Sequence, residues 1–356
     1  MHLPDAVWRL RDRLLADPRW LRLAVRFPLS RAVARRRAAA LFDLCAGFVY
    51  AQVLAACVEL RLFDMLRDGP LPAEVIVRRA GLSAAPAQTL LRAAAALRLL
   101  ARRRGGFGLG PLGAAMLGNP GVGAMVAHHA MLYADLADPV ALLRAPPGAT
   151  RLARFWAYGA TGAAGAYSAL MAASQAMIAA EVLDAVDLRR YRRLLDVGGG
   201  DGSFLRAVAA RVPGLRLALF DLPEVAALAE ARLAESGVAA EVFGGDMRAA
   251  LPGGADLISL LRVIHDHDEP AALAILRTAR AALPPGGTLL LGEPMAGTRG
   301  AEASGDAYFG LYLLAMGQGR PRRRDELTAL LQQAGFTAIR EAPTHQPLLV
   351  RVLLCK

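Results

Sequence analysis

The sequence predicts an α/β catalytic domain on a doubly wound sheet, closed by a terminal antiparallel hairpin and preceded by a helical region with a winged-helix segment. Three observations carry this expectation. From Arg192 onward, short β-rich runs alternate with helical stretches, the order that builds a parallel sheet covered on both faces. The first run ends in Asp196-Val197-Gly198-Gly199-Gly200-Asp201-Gly202 and opens directly into a helix, the place where such sheets receive a ligand. The last two runs lie too close together for a helical crossover, so they must pair antiparallel.

The elements follow in order along the chain. Residues 1–40 are basic and helical in pattern, with Trp8, Leu10, Leu14, Leu15, Trp20, Leu21 and Leu23 among arginines, and Arg35-Arg36-Arg37 closes this arm. Such a pattern suits a solvated basic face or an anionic membrane surface. Residues 41–62 form an almost uncharged helix, which should be buried, here between subunits. Residues 60–118 read as a short helix, a turn at Asp68-Gly69-Pro70, two helices in a helix-turn-helix arrangement and a hairpin wing near Arg104-Gly105-Gly106-Phe107. The candidate recognition helix, Ala85–Leu99, offers only Gln88, Thr89, Arg92 and Arg98. Base readout needs several polar groups on one face, so this segment is expected to serve dimerisation, with no nucleic acid as partner.

Residues 112–190 read as mostly helical, with His128, His129 and Tyr133 on one segment as core residues or a substrate-pocket wall. Strands are expected at 193–197, 215–220, 240–243, 256–261, 287–292, 336–341 and 348–354. The expected division is a helical domain over 1–185 and a catalytic domain over 186–356.

Composition narrows the class. The chain has 356 residues, 42 basic against 31 acidic, a net charge of +11 and 55% hydrophobic residues. That is ample apolar material for a core and excludes a disordered chain. Lysine occurs once, at Lys356. Cys45, Cys57 and Cys355 form neither a disulfide framework nor a CxxC pair, which points to the cytoplasm. The opening Met1-His2-Leu3-Pro4-Asp5 has no signal-peptide pattern. The uncharged stretches 105–134 and 155–180 are rich in glycine, alanine and serine, short of the roughly 20 strongly apolar residues a span requires. They are expected to pack inside the protein, leaving a chain that is soluble or at most peripheral on a membrane.

The chemistry gathers at successive strand ends. Asp196, Gly198 and Gly200 form the first turn, Asp221 with Leu222 ends the second strand, and Asp246 with Met247 follows the third. Carboxylates at these positions can hold ribose hydroxyls, and glycines let a ligand approach backbone. The dinucleotide fingerprint would need glycine at Ser203, and no Walker lysine follows. With little basic character expected in these loops, a polyphosphate is disfavoured and S-adenosylmethionine fits. After the fourth strand comes Ile264-His265-Asp266-His267-Asp268-Glu269, and Glu293 ends the next strand. An imidazole held by a carboxylate makes a sound general base. His265 and Glu293 are therefore the candidate catalytic pair. The neighbouring acids read as the start of a helix, where negative charge is favoured, rather than as metal ligands.

These residues resemble a known family. LLDVGGGDG (194–202), FDLPEV (220–225), GGDM (244–247), IHDHDE (264–269) and GEP (292–294) stand in the order seen in S-adenosylmethionine-dependent O-methyltransferases of the caffeic-acid and acetylserotonin type. The resemblance covers nearly the whole chain. It implies a class I methyltransferase sheet, a winged-helix dimerisation domain and a homodimer. It also implies cofactor contacts from Gly198, Gly200, Asp221, Leu222, Asp246 and Met247, with His265 as base and Glu293 as its support; His128, Tyr133 and Asp266 are candidate substrate residues. Two departures stand out: Leu261 replaces a family lysine, and Pro321 stands where a second flanking glutamate is usual. The arm over 26–64 and Met316-Gly317-Gln318-Gly319-Arg320-Pro321-Arg322 look most like the carotenoid O-methyltransferases of purple bacteria. That likeness implies methylation of the tertiary 1-hydroxyl of an acyclic carotenoid of the hydroxyneurosporene or demethylspheroidene type. Alternatives are a phenolic or polyketide hydroxyl, a bacteriochlorin carbon, or a winged-helix regulator with a vestigial methyltransferase domain.

Overall fold

The structure, a computed structural model, describes residues 5–159 and 164–356. Residues 1–4, part of the opening read for targeting, and 160–163, inside the uncharged 155–180 stretch, lie outside the described residues. The chain divides into two compact units, Met1–Leu117 and Gly118–Lys356. This boundary falls well before the 185/186 division expected from composition. The reason is packing: the helix Ala164–Ala185 lies along Ser203–Arg211, and its Ile178 and Val182, with Val186 just past its end, enter one side of the sheet core.

In the first unit, helices Asp5–Ala16, Pro18–Arg26 and Pro28–Glu59 come first. Asp17 caps the second by accepting from the Arg19 N–H at 2.8 Å, with Pro18 at its first position, as helix starts favour. The third helix runs unbroken through Arg35-Arg36-Arg37, so the basic arm does not end there. Nor is its apolar portion buried within the chain: only Cys57 is, and Leu44 is 81% exposed. By length and composition this helix is also apolar enough to cross a membrane.

The winged-helix reading holds. Helices Ala73–Ala80 and Ala84–Ala96 precede the hairpin of β1 (Leu100–Arg103) and β2 (Gly106–Leu109). Leu62, Phe63, Leu66, Ile76, Leu91, Leu100 and Phe107 form their common core. In the second of these helices Thr89 and Arg92 donate to their own helix carbonyls.

The second unit carries a seven-stranded sheet. Its strands are β3 (Arg193–Val197), β4 (Arg216–Asp221), β5 (Glu241–Gly244), β6 (Leu257–Leu261), β7 (Thr288–Glu293), β8 (Ile339–Ala342) and β9 (Arg351–Cys355), ordered β5-β4-β3-β6-β7-β9-β8. The first five are parallel, and β9 inserts antiparallel between β7 and β8. All seven expected strands are present, several shifted toward the C-terminus by one to three residues. Between β5 and β6 the described connection contains no helix. Side chains alternate between two buried faces, as a sheet covered on both sides requires. Leu195, Val197, Ile258, Leu260, Leu289 and Leu291 face one core, and Leu194, Leu217, Leu219, Leu257, Leu261 and Leu290 face the other. The chain reverses winding between β3 and β6, so the crevice at their carboxyl ends is where a ligand belongs.

Phe204, fully buried on the helix that follows the glycine turn, fills the second core. Phe204→Ala should cost about 3–5 kcal/mol, read as a fall in the urea midpoint of the second unit.

Candidate active site

The site grows from the ends of β3, β4, β6 and β7. Gly198, Gly200 and Gly202 all have positive φ (70°, 58° and 77°), conformations that only glycine adopts at little cost. This lets the turn coil tightly against Asp221, whose Oδ2 accepts the Gly200 N–H at 2.8 Å while Oδ1 accepts that of Leu222 at 2.8 Å. Asp196 sits behind the turn. It is the strand-register partner of Ser259, whose hydroxyl donates to its Oδ1 at 2.6 Å. Burial pushes the Asp196 carboxyl up to about 7, with Asp221 adding to the rise against the Ser259 hydrogen bond.

In front of the turn lies a cavity of about 690 Å³, with Gly198, Asp221, Leu222, Asp246, Met247 and Asp266 among its walls. Asp196 and Gly200 are not among the lining residues. They shape the turn from behind. Asp246 is exposed and pairs with Arg248 at 2.9 Å, and those hydrogen bonds hold its carboxyl below the usual range. Arg154, Arg248 and Arg262 also reach the cavity, so the walls are more basic than the sequence suggested. Asp246 neutralises one of the three. Asp221 at the end of β4 and a close backbone turn suit a nucleoside such as S-adenosylmethionine in size and hydroxyl recognition.

His265 stands on a single 3₁₀ turn, Ile264–Asp266, after β6, and is 6% exposed. Its Nδ1 donates to Glu293 Oε2 at 2.5 Å, while Glu293 Oε1 accepts from the N–H groups of Val263 (3.2 Å) and Ile264 (2.7 Å). Asp266 Oδ1 lies 3.0 Å from Nε2. Burial alone would lower the His265 pKa, but Asp266 and Glu293 outweigh it and raise it to about 10. Both ring nitrogens are engaged by carboxylates, which favours the protonated imidazole. This pairing favours the folded state most fully below the ordinary histidine value near 6.5 and loses that contribution as pH rises through about 10.

The expected substrate residues divide. Asp266 lines the cavity. His128 does not: its Nε2 lies 2.8 Å from the Tyr312 hydroxyl, which also accepts from Trp156 Nε1 at 3.2 Å. Burial lowers His128 to about 4, so a neutral ring accepts the Tyr312 proton and Trp156 is held in the cavity wall. Tyr133 is half-buried and is not among the lining residues. Sequence reasoning missed Trp156, Arg262 and Met316 as lining residues: Trp156 and Arg262 belong to no motif it used, and the segment holding Met316 was read for family likeness rather than for a cavity wall. Arg262 has φ 57°, unusual for a side-chain-bearing residue, and it carries the strand end into the His265 turn. Among the described residues no cluster of metal-ligating side chains occurs.

Two measurements check this geometry. Asp221→Ala removes a carboxylate that accepts two backbone hydrogen bonds, and S-adenosylmethionine affinity by calorimetry should fall roughly 10- to 100-fold. Asp266→Asn removes one of two anions facing His265, so its pKa should drop. Histidine ¹⁵N titration would show this as a shift of the midpoint to lower pH.

The comparisons agree with this architecture. Residues 133–337 match the O-methyltransferase domain family and residues 42–119 match the O-methyltransferase dimerisation domain. The demethylspheroidene O-methyltransferase of Cereibacter sphaeroides is 45% identical, over 95% of this chain and 92% of the relative. The enzyme of the same name from Rhodobacter capsulatus is 42% identical, over 96% and 88%. Among solved structures, the S-adenosylhomocysteine-bound methyltransferase of calicheamicin biosynthesis superposes with a TM-score of 0.76 at 25% identity, over 90% of this chain and 98% of that one. The dimerisation domain supports a homodimer. With a glycine turn, strand-end carboxylates and a buried histidine–glutamate pair at one edge of the sheet, and with these matches over most of its length, the chain belongs to the S-adenosylmethionine-dependent O-methyltransferase family.

Proposed function

We propose that this enzyme methylates the tertiary hydroxyl of a long, apolar acyclic carotenoid of the demethylspheroidene type. The observation that carries the substrate class is the 45% identity, across 95% of the chain, to a demethylspheroidene O-methyltransferase. The cavity supports it: Ala153, Trp156, Leu222, Val263 and Met316 supply apolar wall beside the polar end formed by Asp266 and His267.

Bound in the cavity, S-adenosylmethionine supplies an electrophilic sulfonium methyl group. Asp221 would hold its ribose hydroxyls, Gly198 would offer close backbone, and Leu222, Asp246 and Met247 would border its base. A tertiary alcohol is far less acidic than a phenol (about 10, by analogy with tyrosine), so it needs its proton removed as the methyl arrives. His265 Nε2 is the acceptor, and Glu293 steadies the resulting imidazolium from the Nδ1 side. In the structure Asp266 occupies Nε2 and keeps His265 protonated. The entering hydroxyl must therefore displace Asp266, which takes the Nε2 proton with it as a carboxylic acid and leaves a neutral imidazole to accept the hydroxyl proton.

The helices over 5–37 carry ten arginines against three aspartates, and Trp8, Leu10, Trp20, Leu21, Leu23 and Phe27 are exposed among them. This combination favours peripheral contact with an anionic membrane, the phase that would hold so apolar a substrate. The long helix Pro28–Glu59 is read as a subunit contact rather than a span, because the dimerisation match begins inside it, at residue 42. All three cysteines are free thiols, in keeping with the cytoplasmic side.

Incubation of the protein with methyl-labelled S-adenosylmethionine and 1-hydroxyneurosporene in detergent should label the carotenoid. His265→Ala should reduce that label about 10²–10⁴-fold. No label with intact cofactor binding would discard the carotenoid and turn attention to phenolic acceptors. For the membrane, the protein should float with phosphatidylglycerol vesicles at low salt and be released as salt rises. Equal flotation with neutral vesicles would remove the electrostatic part of the reading.

A further inference from the structure

The loop 317–323 wraps the His265 turn. Arg322 is 2% exposed and, among the described residues, pairs with no carboxylate. Its Nη1 donates to the carbonyl of Ile264 at 2.7 Å and its Nη2 to the carbonyl of His267 at 2.7 Å. The carbonyl between them, that of His265 itself, accepts the Arg320 N–H at 2.9 Å. Gly319 donates to Asp268 Oδ1 at 3.0 Å, and a Cβ at Gly319 would lie 2.2 Å from the His265 carbonyl oxygen. The Arg322 carbonyl in turn accepts from Ala296 at 3.0 Å, just beyond Glu293.

A buried guanidinium without an anion is costly, and an apolar residue would serve stability better. The arrangement makes sense as a fixture. A 3₁₀ turn of three residues has little internal strength; the Ile264 carbonyl accepts only a long bond, 3.3 Å, from the His267 N–H, and further donors strengthen such a turn. One planar fork reaching carbonyls on both sides of His265 supplies two such donors and sets the backbone from which the imidazole projects.

We propose that Arg322 is a positioning residue for His265, its guanidinium gripping the carbonyls of the turn that carries the imidazole. Resting on His265 as the base, the proposal adds the element that aims it. Arg322 also places a fixed cation near Glu293. The groups facing His265 are then Asp266 and His267 on its own turn, Glu293 from β7, Arg262 at the end of β6, and Arg320 and Arg322 from the wrapping loop, with the Phe309 ring 6.1 Å away.

The test uses two variants of the full-length protein. Arg322→Lys keeps the charge but loses the fork: kcat with 1-hydroxyneurosporene should fall about 10²-fold, with KM and the acid limb of the pH profile near the parent's. Arg322→Ala also removes the cation, so the His265 ¹⁵N titration and the acid limb should move to higher pH, and added millimolar guanidinium should restore part of the rate. A folded Arg322→Lys protein with parental kcat would overturn the proposal, as would an unchanged His265 titration in folded Arg322→Ala. Should Arg322→Ala fail to fold, Arg322→Lys decides. If the parent does not methylate the carotenoid, the substrate reading fails while the histidine titration still judges Arg322.

Discussion

The Glu293 side chain ties the site together. One buried carboxylate at the carboxyl end of β7 accepts three hydrogen bonds, two from the backbone of Val263 and Ile264 and one from the His265 ring. It thereby stops β6 from simply continuing past its neighbour and bends the chain into the turn that presents the histidine. Charge-assisted bonds of this kind are the strong ones, and the parallel pairing of β6 with β7 brings donor and acceptor to the same edge without any flexible intermediary. The cavity wall, the base and the following helix all take their position from that contact.

Because the imidazole lies between two carboxylates, its protonated form is favoured against the burial that would otherwise lower its pKa. Glu293 is anchored by backbone and cannot leave without unravelling the turn. Asp266, by contrast, lines the cavity.

The N-terminal unit follows a different logic. Its winged-helix core is well packed around Leu62, Phe63, Ile76 and Phe107, whereas the long helix before it exposes Leu41, Phe42, Leu44 and Phe48. A contiguous apolar face of that kind marks an interaction surface. The match to a dimerisation domain from residue 42 accounts for that face, and the more basic helices ahead of it fall outside the match.

Much of this was legible in the residues themselves. Alternating strands and helices, the glycine-rich turn, the acids at Asp221 and Asp246, and the His265–Glu293 pair are local patterns, and periodicity and turn chemistry act over a few residues. Strand order, cavity walls and the neighbours of His265 depend on contacts between segments far apart in the chain. The sequence placed Asp196 among the cofactor residues, and only the fold shows it turned back toward Ser259. It showed Pro321 where an acid was expected, and only the fold reveals the adjacent Arg322 inserted beneath the catalytic turn. The sequence alone determined the fold class and the cofactor chemistry, because those rest on short-range patterns. The tertiary structure decided what surrounds His265, two carboxylates at its ring nitrogens and the Arg322 fork on its turn, because burial and charge proximity exist only once distant strands and loops have come together.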